Sequence, residues 1–136
     1  MRKLLLLIVP LTACLFLIPR GAMSENSSPS DGEKRLRHVV MFKFKDDSSK
    51  ADVDKVIDAF AKLPEKIPQI ADFEFGTDNS PEGLANGFTH CFLITFHSEA
   101  DRQVYLPHPA HLAFVDVLKP HLDKVMVIDY WATKAP

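Results

Sequence analysis

The stretch His38-Val-Val-Met-Phe-Lys-Phe-Lys45 decides the fold. Its even positions, His38, Val40, Phe42 and Phe44, differ in character from its odd ones, Val39, Met41, Lys43 and Lys45. Successive side chains of an extended chain point to opposite sides, so this alternation predicts a strand with two distinct faces. Asp46-Asp47-Ser48-Ser49 then ends the strand and opens a helix, with Ser49 placed to cap it and Asp52 three residues on. Val53, Val56, Ile57 and Phe60 recur at helical spacing, giving one apolar face, and Pro64 is expected to close the helix.

A short strand is expected over Ala71 to Gly76, followed by a polar loop containing Asn79, Pro81, Gly83 and Gly87. A third strand runs from Phe88 to Phe96, with Phe88, His90, Phe92, Ile94 and Phe96 on one side. Ser98 is a candidate N-cap with Asp101 three residues later. Pro107 and Pro109 interrupt the helix that follows, although Pro109 fits the first turn of its continuation. Pro120 ends that continuation, and Val125 to Trp131 supplies a last strand. The resulting order, β-α-β-β-α-β, predicts an α+β, ferredoxin-like sandwich with helices on one face of the sheet. The other face would carry Val39, Met41, Cys91 and Leu93, an apolar patch of the kind that signals association. A homodimer through this open face, forming a dimeric α+β barrel, is the simplest remedy.

The chain has 136 residues, room for one domain, and is 46% hydrophobic and 25% charged, as globular proteins are. We place that domain at 37–133. Residues 1–24 read as a secretory signal: Arg2 and Lys3 lead an apolar run from Leu4 to Ile18, and Ala22-Met23-Ser24 suits cleavage before Glu25. The run is too short for a stable membrane span. Leu11-Thr12-Ala13-Cys14 resembles a lipobox, which would instead anchor the protein through a lipidated Cys14. Either route exports the protein. Residues 25–36 are expected to be a flexible leader, since 25–34 hold no apolar side chain except proline.

Loss of residues 1–24 leaves 13 basic against 18 acidic residues, a formal charge of −5. No basic stripe remains, which argues against nucleic acid as a partner. Cys91 would then be the only cysteine, so packing alone must hold the domain.

In this topology the first strand lies between the third and fourth, antiparallel to both. That brings His38 towards Asp129 and sets Tyr105 above them, with His111 sharing a helix face with Phe114 and Leu118. His90 lies nearer the opposite end of the sheet. Asp129 interrupts the apolar run Val125 to Ile128, where a buried carboxylate needs a partner. A histidine would serve; the alternative is a hydrated carboxylate at the strand end. His97 and His121 fall at element ends, where water satisfies them. His108-x-x-His111 with His38 could suggest zinc, but no cysteine pair or acidic set accompanies them, and no metal or cofactor is expected.

Arg37 to Lys45, Gly87 to Phe96, Tyr105-Leu-Pro-His-Pro-Ala-His111 and Val127-Ile-Asp-Tyr130 resemble the stress-responsive A/B barrel (Dabb) family. The resemblance implies a dimeric α+β barrel. In one plant branch, the olivetolic acid cyclases, it implies aldol-type ring closure without cofactor or metal. The residues that match are His111 as base, Tyr105 as its assistant and Asp129 as the group that steadies the histidine. His38 and His90 match two further pocket histidines. Three readings follow: binding of a small apolar or carbonyl-containing molecule, a cofactor-independent lyase or cyclase, or a purely structural fold. In the last, Phe42, Phe92 and Phe114 would pack the pocket shut.

Overall fold

The computed structural model describes residues 34–133; the expected signal segment, Cys14 and all but the end of the leader lie outside them. The elements are β1 (Leu36–Phe44), α1 (Lys50–Ala61), β2 (Asp72–Thr77), β3 (His90–Phe96), α2 (Glu99–Tyr105), α3 (Pro109–Leu118) and β4 (Leu122–Trp131). The strands form one antiparallel sheet in the order β2-β3-β1-β4. This is the ferredoxin-like α+β fold, with the second helical segment broken into two.

On β1, Leu36, His38, Val40 and Phe42 are buried towards the helices, while the residues between them are only partly covered. The strand begins two residues before the expected start, because Leu36 pairs with both Phe96 and Trp131. β3, in contrast, begins at His90 rather than Phe88. Asn86 and Gly87 take positive φ (53° and 83°), and the Phe88 amide donates to the Ala85 carbonyl, so this stretch is still a turn. β4 starts three residues early, at Leu122. An irregularity at Lys43 and Phe44 shifts the register there and allows Leu122 to pair with Phe44.

Side-chain caps fix the helix starts. Ser49 accepts from the Asp52 amide, Ser98 from the Asp101 amide, and His108 Nδ1 from the Ala110 amide. Pro109 occupies the first turn of α3, where its missing N–H costs nothing. α1 ends at Ala61, short of Pro64, and the turns after it bury Leu63, Ile67 and Ile70.

The core lies between sheet and helices. At its centre Phe60 of α1 stacks on Phe114 (ring centroids 4.2 Å apart) and packs on Phe92 (4.6 Å), Phe73 (5.1 Å) and Phe42 (5.8 Å). Among the described residues, no helix lies over the opposite sheet face. Pairing sets Met126, Met41 and Cys91 in one cross-strand row and Ile128, Val39 and Leu93 in the next. β4 thus widens the apolar patch beyond the four residues expected from sequence. Among the described residues, no helix is long and apolar enough to cross a membrane.

Candidate functional site

Pairing in the sheet places His38 directly opposite Asp129, Val40 opposite Val127 and Phe42 opposite Val125. All six line a cavity of about 380 Å³ between β1, β4 and α3, with His111, Phe114 and Leu118 among the residues above them. The cavity is graded along its length. Its polar end holds His38, Asp129 and His111; its far end holds Phe42, Val125, Leu118 and Leu122. Phe42 and Phe114 do not close it.

At the polar end His38 Nδ1 lies 2.6 Å from Asp129 Oδ1, and Arg102 donates to Asp129 Oδ2 at 2.8 Å. A carboxylate only accepts, so Nδ1 of His38 carries the proton and Nε2 keeps its lone pair when the ring is neutral. His111 Nδ1 lies 2.9 Å from the Leu106 carbonyl, which likewise only accepts, leaving Nε2 of His111 as the basic atom. The resemblance implies that Asp129 steadies His111. Instead, the backbone at the end of α2 holds His111, and Asp129 serves His38.

Tyr105 is fully buried (0% exposed), its ring 4.4 Å from that of His111 and 5.8 Å from that of His38. It sits behind the imidazoles rather than in the cavity wall. Its hydroxyl has no hydrogen-bond partner among the described residues. Burial pushes the phenol far above its ordinary pKa, so it remains a neutral donor.

Two expected pocket residues lie elsewhere. His90 is at the other end of the sheet, bonded to Thr89 and edge-on to Phe44, in a separate cavity of about 310 Å³ shared with Met41 and Cys91. Phe92 is wholly buried among Phe42, Phe60, Phe73 and Phe75, supporting the cavity without lining it. In addition, His108 is engaged as the cap of α3. Arg102 is not evident as a site residue from the sequence; the available signal is its place three residues before Tyr105, on the same face of α2.

Burial pushes the His111 imidazole below its ordinary 6.5; the Leu106 carbonyl opposes this, and His38 and His108 add to it. Between the lowered native value and 6.5 the unfolded chain therefore binds more protons than the native one, and stability falls as pH falls through that window. His111→Gln should flatten the decline, read as the urea midpoint at successive pH values. An equal slope in wild type and variant would contradict a buried, neutral His111.

Comparison with known proteins agrees with this fold. Residues 36–132 match the family model described as "Stress responsive A/B Barrel Domain". The chain is 39% identical over 98 residues to the stress-response A/B barrel domain-containing protein HS1 of Arabidopsis thaliana, covering 72% of this chain and 90% of that one. It is 31% identical over 99 residues to olivetolic acid cyclase of Cannabis sativa, covering 73% and 98%. Among solved structures, a hydroxynitrile lyase from Passiflora edulis superposes with a TM-score of 0.71 at 30% identity, covering 76% of this chain and 98% of that one. A dimeric ferredoxin-like protein of unknown function from Thermobifida fusca gives 0.62 at 28% identity, covering 73% and 92%. With the family model spanning the whole sheet and all three helices, the chain belongs to the stress-responsive A/B barrel domain family.

Proposed function

We propose that the protein is an exported A/B barrel homodimer that binds a small, largely apolar molecule with a carbonyl or hydroxyl head group. The observation that carries this reading is the polar end of an otherwise apolar cavity. There Nε2 of His111 keeps its lone pair. Behind that imidazole, 4.4 Å away between ring centroids, lies Tyr105, whose buried hydroxyl has no partner among the described residues. Ligand sites commonly combine apolar walls with a few convergent polar groups. The reading requires a ligand oxygen to reach the Tyr105 hydroxyl behind the imidazoles, which would offset its desolvation, while a hydroxyl or acidic C–H on the same ligand faces the base. The half-exposed residues of β4 leave an apolar face that a second copy would cover.

A second reading, a cofactor-independent lyase or cyclase, draws support from His111. Burial keeps its ring neutral at physiological pH, as a general base requires. In the lyase case Nε2 of His111 takes the hydroxyl proton of a cyanohydrin. The C–C bond to the nitrile carbon breaks to give aldehyde and cyanide, and the imidazolium returns the proton to the cyanide. The Tyr105 hydroxyl hydrogen-bonds the oxygen on which charge develops. The likeness to a cyclase and a hydroxynitrile lyase agrees with such chemistry.

Native mass spectrometry of the protein from its own host tests the first reading: a dimer carrying a carbonyl- or hydroxyl-bearing ligand is expected. Incubation with an aromatic cyanohydrin, followed by aldehyde release, tests the second. His111→Ala should abolish release, by about 10²-fold or more. No retained ligand and no thermal shift with any aldehyde, ketone or cyanohydrin tried would remove both readings.

A further inference from the structure

We propose that Arg102 is a positioning residue that sets the tautomer of His38 by fixing which way Asp129 points. Its consequence for a bound ligand rests on the pocket reading above; the positioning itself does not. Asp129 stands on β4, an edge strand, with its side chain 30% exposed. A carboxylate there has water as an alternative partner. Arg102, with its side chain 22% exposed, reaches from α2 and takes Oδ2, leaving Oδ1 to His38. Because a guanidinium only donates, it holds the carboxylate through one oxygen and presents the other to His38.

Arg102 also belongs to a single helical turn that governs both imidazoles. The Leu106 amide donates to the Arg102 carbonyl, closing the turn, and the Leu106 carbonyl accepts from Nδ1 of His111. Tyr105 lies between the two. The segment 102–106 therefore acts on His38 through Asp129 and on His111 directly. Both rings are left as Nδ1–H tautomers with Nε2 lone pairs, and neither Nε2 has a hydrogen-bond partner among the described residues. The titratable groups around His38 are Asp129 on β4, Arg102 and Tyr105 on α2, and His111 on α3; β3 contributes Ile94 and Phe96, which do not titrate. Two acceptors at this end of the cavity, with the Tyr105 donor behind them, would select a head group that donates as well as accepts, such as a hydroxyl next to a carbonyl carbon.

Side-chain 15N NMR of the full-length, ligand-free protein, at a pH where His38 is neutral, reads the tautomer directly. Wild type should show Nδ1–H in excess by more than about tenfold. The decisive variant is Asp129→Asn. If Arg102 holds the amide oxygen, the amide NH2 is turned to His38, and the ring must switch to Nε2–H. Adding Arg102→Met frees the amide to rotate, and the Nδ1–H form should return at least in part. Arg102→Met alone should erode the wild-type excess, and Arg102→Lys should restore it. Persistence of Nδ1–H in Asp129→Asn overturns the proposal, as does an unchanged His38 spectrum in Arg102→Met. These measurements need no ligand, so a protein that binds nothing still tests the role of Arg102. Conversely, ligand binding that survives with an unchanged His38 tautomer in Arg102→Met would leave the pocket reading intact and remove only this one.

Discussion

Replacing Phe60 by alanine is expected to lower the stability of the domain by about 3–5 kcal/mol. The residue is 1% exposed and touches rings from three directions: Phe42 and Phe92 on the sheet, Phe73 at the sheet edge and Phe114 on α3. Truncation removes the transfer energy of a benzyl group and leaves a hole that four rigid rings cannot fill without abandoning their own packing. A domain of this size has only about 5–15 kcal/mol in total, so the loss is a large share of it. At about 4–8 °C per kcal/mol, the unfolding midpoint should fall by more than about 10 °C. Phe75→Ala is the control. That ring is half exposed on β2 and should cost less than about half as much. Because Phe60 also lines the cavity, ligand affinity should fall with stability. Equal destabilisation by the two variants would mean that the core is not organised around Phe60.

Tyr105→Phe is expected to act in the opposite direction. Its hydroxyl is buried without a partner, a state that costs about 1–3 kcal/mol in lost hydration. Phenylalanine keeps the ring contacts with His38, Phe96 and His111 while deleting the stranded group. The ligand-free variant should therefore melt several degrees higher than wild type. Under the proposed function the same change should weaken binding or turnover by about 10²-fold, because the hydroxyl gains its partner only when the ligand arrives. Gain of stability with loss of function is a known signature of a polar group retained for its site. A variant that is less stable when ligand-free would show that the hydroxyl is satisfied in the folded protein. Unchanged binding would show that it never meets the ligand.

The parts of this fold that can be read from the chain are those whose two sides face different surroundings. β1 alternates because one side packs against helices and the other lies on the open face, so its direction and faces are plain from residues 38–45. Ser49 and Ser98 announce α1 and α2 because capping is a local interaction spanning three residues. β4 gives a weaker signal. Its run from Val125 to Ile128 is apolar on both sides, so no alternation marks its start, and the early beginning at Leu122 depends on a register shift opposite Lys43 and Phe44. The turn at Asn86 and Gly87, both at positive φ, similarly keeps the β-prone Phe88 and Thr89 out of β3.

The sequence alone determined the element order, the helix-covered and open sides of the sheet, and the neighbourhood of His38, Asp129 and Tyr105. Tertiary structure alone decided the partners. His38 and Asp129 are 91 positions apart, and only the β1–β4 register makes them direct neighbours rather than residues two places out of step. It also gave Asp129 to His38 and Arg102 instead of His111, bound His111 to a backbone carbonyl that no residue type can announce, and sent His90 to the far cavity. Local patterns report the environment of each residue. Hydrogen bonds of about 3 Å depend on where separate elements come to rest, which the whole packed core sets at once.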